Sequence, residues 1–327
     1  MKKPLLTLGL LLAANCLLFG WGFFVHRISP QLATYYLPKK MQGFFHKNME
    51  YLVYNSVRPD VRRNTDPLEA PRHFIDFEAF GDSAAWKMPE RWTDAVAKYT
   101  ADTLKKYGTV PWRVEEMRLK LTEAFRSQQK DSILYYAAEV CHYVGDAHVP
   151  LHTSLNYDGQ LTNQRGLHAL WESTLPEMDI QEYQLYHPHK VRYLKDPQHE
   201  IWEVLRHTHV LVKAVFEEER KASEGVATAE KYNTKTGRNG RPYQAYSGLF
   251  ARRYSQRLAT SVQEQVVRTA QTLSDFWYTC WYDAGCPNLS DLQPISKDDK
   301  KQLKVERKAW KANQLLANNL LKARKEE

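Results

Sequence analysis

The sequence predicts an all-α fold, a single multi-helix domain, and three observations carry that expectation. Apolar residues recur three and four apart through 42–56, 88–107, 112–128, 131–147, 197–222 and 247–284, the spacing that lines one face of a helix. No stretch of clean two-residue alternation competes for a strand. Hydrophobic residues form 43% of the 327, and 12% are aromatic, which is ample for a packed core and excludes global disorder.

Taken in order, the chain opens with an export signal over residues 1–20. Lys2 and Lys3 precede an apolar run at 5–19, and small Gly20 closes it. The run is too short to span a bilayer comfortably. Cleavage after Gly20 would give an exported mature chain starting at Trp21, with no transmembrane segment. Within the helical body, Pro111 fits a first helical turn before Trp112, and Asp131-Ser132 offers a cap before Ile133. Three segments interrupt the periodicity and read as functional loops: 57–83, 153–166, and 224–243 with Lys231, Lys235, Arg238 and Arg241 among its glycines. The organisation expected is a signal over 1–20, a helical domain over 21–287 and a charged helical extension over 288–327. Leu303, Trp310, Ala317 and Leu320 give that extension a thin apolar stripe by which it packs on the body.

Charge is unevenly placed. The formal total is +8, and residues 291–327 carry ten Lys/Arg against six Asp/Glu. A solvated basic tail explains this surplus, and a phosphate-bearing partner or a membrane surface is permitted by it. With Cys16 inside the signal, Cys141, Cys280 and Cys286 remain in the mature chain. Cys141 falls in an apolar helical stretch and reads as a buried thiol, while Cys280 and Cys286 stand close enough to pair across a helix end.

The densest chemistry lies between Cys141 and His152. On a helix His142 and Asp146 are four apart and share a face, so one metal can be gripped by both. Pro150 stops that helix and lets His152 turn back to the same side. His168 and Glu172 repeat the four-residue spacing. A lone His-x-x-x-Asp is usually an ordinary surface pair; two such pairs flanking Pro150-Leu151-His152 suit zinc, which takes imidazole and carboxylate. There is no Gly-x-Ser-x-Gly elbow and no phosphate-cradling glycine loop. Cys141 faces away from His142 and is a poor nucleophile.

Together Trp21, His26, Asp60, Arg72-His73-Phe74-Ile75-Asp76, His142-Tyr143-x-Gly145-Asp146, Pro150-Leu151-His152 and Gly166-x-His168-x-x-x-Glu172 resemble the three-zinc phosphoesterases. That superfamily holds zinc-dependent phospholipases C and single-strand-specific zinc nucleases, and the likeness runs over 21–287. The resemblance implies three zinc ions. Asp60, His73, His142 and Asp146 would hold one, with Asp66 the rival to Asp60. Asp146 would bridge to a second, held by the Trp21 amino nitrogen and carbonyl oxygen and by His26. His152, His168 and Glu172 would hold the third. Asp76 would orient ligands, and His148 would lie behind them. His46, His187, His189, His199, His207 and His209 read as surface or core residues, with His207-x-His209 open to adventitious metal.

The reaction this implies is phosphodiester hydrolysis by a metal-activated hydroxide, with Asp146 bridging and Asp60 able to accept a proton. Glu172 at the last ligand position is more like the phospholipases, so a secreted phospholipase-C-like enzyme is the first expectation. A single-strand nuclease or nucleotidase on the same metals is the second, and Arg62, Arg63, Arg238 and Arg241 would supply its basic surface. A non-catalytic envelope protein stapled by zinc is the third. The substrate is accordingly a phospholipid or a nucleic acid, and no obligate protein partner is implied.

Overall fold

The computed structural model describes residues 21–237 and 240–324, so the export signal expected at 1–20 and Arg238 lie outside the described residues. The fold is mostly helical, with its core along the first helix, Phe23–Tyr36, where Val25, Ile28, Leu32, Ala33 and Tyr35 are all buried. Apolar spacing did not mark this helix because it is buried nearly all round and carries no polar stripe. Pro30 lies within it. A proline there removes the N–H that would bond the His26 carbonyl, and the buried Cys141 thiol reaches that carbonyl at 3.9 Å.

Two long helices pack on this first helix, Lys130–Asp146 and Ser261–Asp283, and two more complete the body. Val110–Arg126 and Lys130–Asp146 form an antiparallel hairpin, Pro197–Ser223 covers one side, and Ser261–Asp283 crosses behind. Trp277 stacks on Phe45, with ring centres 4.5 Å apart, and its Nε1 donates to the Ala137 carbonyl at 3.1 Å, which ties the crossing helix to the hairpin. Pro111 lies in the first turn of its helix, as the sequence predicts. The Asp131-Ser132 cap is corrected: the helix starts at Lys130 with Gln129 before it, and the Ser132 hydroxyl donates to the Gln129 side chain at 3.2 Å. Gln128, at φ 54°, turns the chain early enough to start the helix ahead of those residues.

Single residues also break three predicted helices. Segment 42–56 divides at Asn48, 88–107 at Thr100 (φ 66°) and 247–284 at Ala259 (φ 50°). Apolar periodicity runs across such breaks because the same face stays buried on both sides. The 224–243 loop contains an unexpected antiparallel ribbon, Tyr232–Thr236 against Pro242–Tyr246, pairing Tyr232 with Tyr246 and Thr236 with Pro242. Its outer strand is largely exposed, so it has no buried alternation for the sequence to display.

The C-terminal helix, Lys297–Lys311, opens with a Ser296/Asp299 capping box and ends short of Ala317 and Leu320 in the predicted stripe. Trp310 inserts among Tyr35, Tyr36 and Tyr186, and beyond the helix Gln31 bonds the Leu320 carbonyl and the Lys322 N–H. Leu315 and Leu321, in turns, do the burying assigned to a longer stripe. Cys280 and Cys286 are both free: Cys280 is buried with its thiol on the Arg118 carbonyl, and Cys286 is exposed. Among the described residues no helix is long and apolar enough to cross a membrane.

Candidate metal centre

The hairpin's second helix ends at Asp146, and its last turn brings His142 and Asp146 onto one face. Pro150 starts a tight 3₁₀ turn, Pro150–Thr153, that returns His152 to the same side. After Gly166, at φ 90°, a short helical turn passes into a π-turn over Leu170–Thr174 that presents His168 and Glu172. Asp60 comes from the short helix Arg58–Arg62, and His73 from the turn after Ala70–Arg72.

Three imidazoles are aimed by backbone carbonyls. Nδ1 of His142 donates to Ser56 (2.8 Å), that of His152 to His73 (2.7 Å) and that of His168 to Tyr157 (3.1 Å). A carbonyl only accepts, so the proton sits on Nδ1 and the Nε2 lone pair points inward. The inward atoms crowd one another. His142 Nε2 is 3.0 Å from His73 Nδ1, 3.3 Å from Asp146 Oδ2 and 3.8 Å from Asp60 Oδ1; His73 Nδ1 is 3.0 Å from Asp146 Oδ2 and 3.6 Å from Asp60 Oδ1. In the group nearest the π-turn, His152 Nε2 lies 3.1 Å from His168 Nε2, and Glu172 Oε2 lies 2.9 Å from His168 and 3.6 Å from His152.

Two facing lone pairs repel unless something electrophilic sits between them. Donors bound tetrahedrally at 2.0–2.1 Å from one zinc are roughly 3.3 Å apart, which matches these separations. Glu172 Oε2, Asp146 Oδ1 and both ring nitrogens of His26 are buried without a hydrogen-bond partner. His26 Nε2 lies 3.4 Å from Asp146 Oδ1, so the two Asp146 oxygens face different neighbours, Oδ2 towards His73 and His142 and Oδ1 towards His26. The residues therefore fit metal binding, as three buried groups: His26, His142 and Asp146; Asp60, His73 and His142; His152, His168 and Glu172.

Protonation is divided within the cluster. Burial raises the Asp146 carboxyl, but His142, His152, His26 and His73 overcome it and hold the group well below the usual range. Burial raises Glu172 well above that range, only partly countered by His152, and also raises Asp60 against the pull of His73. Burial lowers His142 and takes His168 down to about 4, whereas Asp146 and Glu69 overcome it at His73, which rises to about 9. Carboxylates that cannot all ionise together become compatible once cations join them.

Trp21 is fully buried with its ring 4.9 Å from that of Trp171, and the Gly22 N–H donates to the Glu172 carbonyl at 3.2 Å. A Cβ on Gly145 would stand 3.2 Å from the His26 ring and 3.3 Å from the Trp21 ring, so helix and N-terminal segment meet where a side chain is tight. Trp21 and His26 thus both lie against Gly145, the residue before Asp146.

Asp66 stands apart, half-buried, bonding the Leu68 N–H and Arg72. Asp76 is buried and raised to about 7 by burial and Glu78. The acid behind a cluster imidazole is Glu69, whose Oε1 is 3.5 Å from His73 Nε2 and which also bonds Arg62, Arg72 and Tyr143. Its signal was legible: Glu69 and His73 have the same four-residue spacing as the other pairs. Pro71 between them argued against a helix and hid it. Arg62 is committed to Glu69, Glu139 and Tyr143. His148 is buried, bonded to Val144 and Thr272. His46 pairs with Glu306, His189 with Asp275 and His199 with Glu90, while His209 bonds Thr153.

A helical domain that converges buried imidazoles and carboxylates in this way has the donor set of a metal-binding protein. The S1/P1 nuclease family model matches residues 21–277, and the chain belongs to that family. Among solved structures, the Alpha Toxin from Clostridium Absonum is similar at 14% identity and a TM-score of 0.43, covering 84% of this chain and 66% of the toxin, just under two thirds of its length. Comparison with curated proteins gives no match.

Proposed function

We propose that the chain is an exported phosphodiester hydrolase of phospholipase-C-like specificity. The observation that carries the hydrolase reading is the facing of imidazole lone pairs and carboxylate oxygens at zinc-like separations. Asp60, His73, His142 and Asp146 would hold one zinc, Trp21, His26 and Asp146 a second, and His152, His168 and Glu172 a third. Bound zinc supplies an ionised water near neutral pH and neutralises charge on phosphate oxygens. The chain's own residues do the rest. Asp146 uses its two oxygens to keep two groups in register. Asp60, its carboxyl raised by burial, is the group placed to take a proton. Arg63, with Nη1 3.7 Å from Asp60 Oδ1 and only 12% of its side chain exposed, holds a positive charge beside the cluster.

Glu172 supports a phospholipid substrate through the family resemblance. The S1/P1 family match supports a second reading, cleavage of single-stranded nucleic acid. A parallel assay on the zinc-restored mature chain separates them. Choline-phosphate release from phosphatidylcholine, abolished by His168→Ala, is the expected result. Loss of single-stranded DNA or RNA in its place transfers the proposal to the nuclease. Zinc-dependent stability with turnover of neither leaves the ions as staples and ends both. One residue retained ahead of Trp21 should lower activity while leaving helical content intact; equal activity would remove Trp21 from the site.

A further inference from the structure

Away from the imidazole cluster, a groove of about 1110 Å³ opens between the helices Lys39–Lys47 and Lys297–Lys311, and none of its lining residues belongs to the cluster. Its floor is apolar, built from Phe44, Leu289, Ile295 and Leu303 with Trp281, and Gly43 admits Ile295, whose Cγ1 would stand 3.0 Å from a Cβ there. Its lips are basic. Lys39 and Lys40 face Lys300, Lys304, Arg307 and Lys308 across it, and no Asp or Glu lines it.

These cations are arranged against the helix's own interest. Lys300, Lys304 and Lys308 follow one another at four-residue spacing, where like charges repel along a face. Elsewhere the protein spends its arginines in ion pairs, as at Arg58, Arg62, Arg118 and Arg206. Arg307 has a buried Nε with no hydrogen-bond partner. An apolar trough ringed by cations that have no ion pair among the described residues fits an amphiphile with a negative head, because the lysine stems cover the apolar walls while their ammonium groups reach the rim. A nucleic-acid strand would need aromatic faces on which bases stack. The two rings that line this groove, Phe44 and Trp281, share its floor with the aliphatic Leu289, Ile295 and Leu303.

We propose that this groove binds an anionic phospholipid, its acyl chain on the Phe44–Ile295–Leu303 floor and its phosphate on Lys304, Arg307 and Lys308. It thereby seats the protein on negatively charged membrane independently of what the imidazole cluster cleaves.

The test is co-sedimentation of the mature chain with vesicles of phosphatidylcholine alone or of phosphatidylcholine with phosphatidylglycerol. Retention should require phosphatidylglycerol. Joint substitution Lys304→Ala, Arg307→Ala and Lys308→Ala should weaken it on the order of a hundredfold, from about fivefold per cation at an anionic surface. Removing the same charge elsewhere, by Lys98→Ala, Lys105→Ala and Lys106→Ala, should leave it nearly intact. Ile295→Glu, which places a carboxylate on the floor, should weaken binding without removing a cation. Equal loss in both triple variants would reduce the effect to net charge and overturn the proposal. So would displacement by inorganic phosphate alone, competition by a single-stranded oligonucleotide at equal affinity, or self-association in ultracentrifugation that the groove variant abolishes. Circular dichroism of each variant separates lost binding from lost fold.

Discussion

The helix Lys130–Asp146 carries two buried polar regions that differ in one respect. Towards one side, Glu139 and Tyr143 enter a network with Arg58, Arg62, Arg113 and Glu69 in which every charge meets its opposite: Arg62 bonds both Glu69 and Glu139, and Arg58 and Arg113 reach Glu139 at 3.1 and 3.5 Å. Towards the other, His142 and Asp146 meet His26, Asp60, His73 and His152, and beyond them the Nε2 lone pairs of His152 and His168 face each other at 3.1 Å. Both regions hold fully buried carboxylates beside basic side chains, so a buried carboxylate alone does not distinguish scaffold from site. What distinguishes them is whether the groups satisfy one another or await a third party.

Removing a residue from each region tests that difference most strongly. His142→Ala should abolish hydrolysis by on the order of 10³-fold or more, because charge stabilisation by a metal is worth several kcal/mol, and bound zinc should fall with it in metal analysis. Glu139→Gln should leave zinc per folded molecule unchanged while costing about 1–3 kcal/mol in denaturant unfolding, since it takes the shared charged acceptor from half-buried arginines. If the second variant loses zinc without losing stability, the division between the regions fails.

His148, buried on the same stretch yet satisfied, sharpens the contrast through pH. Burial lowers it to about 4, so below about pH 6.5 the unfolded chain takes the proton first. Stability contributed this way is complete above pH 6.5 and is lost as pH falls towards 4, by on the order of 3 kcal/mol. Thermal unfolding across that window should flatten in His148→Gln. The smallest effect is expected where the regions touch. Glu69→Gln should cost about 10–100-fold in zinc affinity or rate, the usual penalty for losing a partner behind a ligand imidazole, with zinc titration as the measurement.

These regions also show what the sequence could reveal. His142, Asp146, His152, His168 and Glu172 were legible because they lie on one continuous segment whose helical spacing and Pro150 stop could be read directly. Glu69 was hidden by Pro71, and the satisfied network was invisible because its members come from separate segments and none is unusual locally. In the fold, the long amphipathic helices were readable, but the first helix was not, since a helix buried all round leaves no stripe. Breaks at Thr100 and Ala259 escaped for a related reason: a single residue with positive φ alters direction without disturbing which face is apolar.

The meeting of Gly145 with Trp21 and His26, and of the Gly22 N–H with the Glu172 carbonyl, has a consequence for the order of assembly. Residues near the beginning of the described chain are clasped by residues more than a hundred positions later, and such distant closures form late in folding. No partial chain ending before residue 172 can complete the centre. An N-terminal fragment could form its local helices, yet it would lack the slot that holds its own first residues, so competence for metal arrives only with that closure.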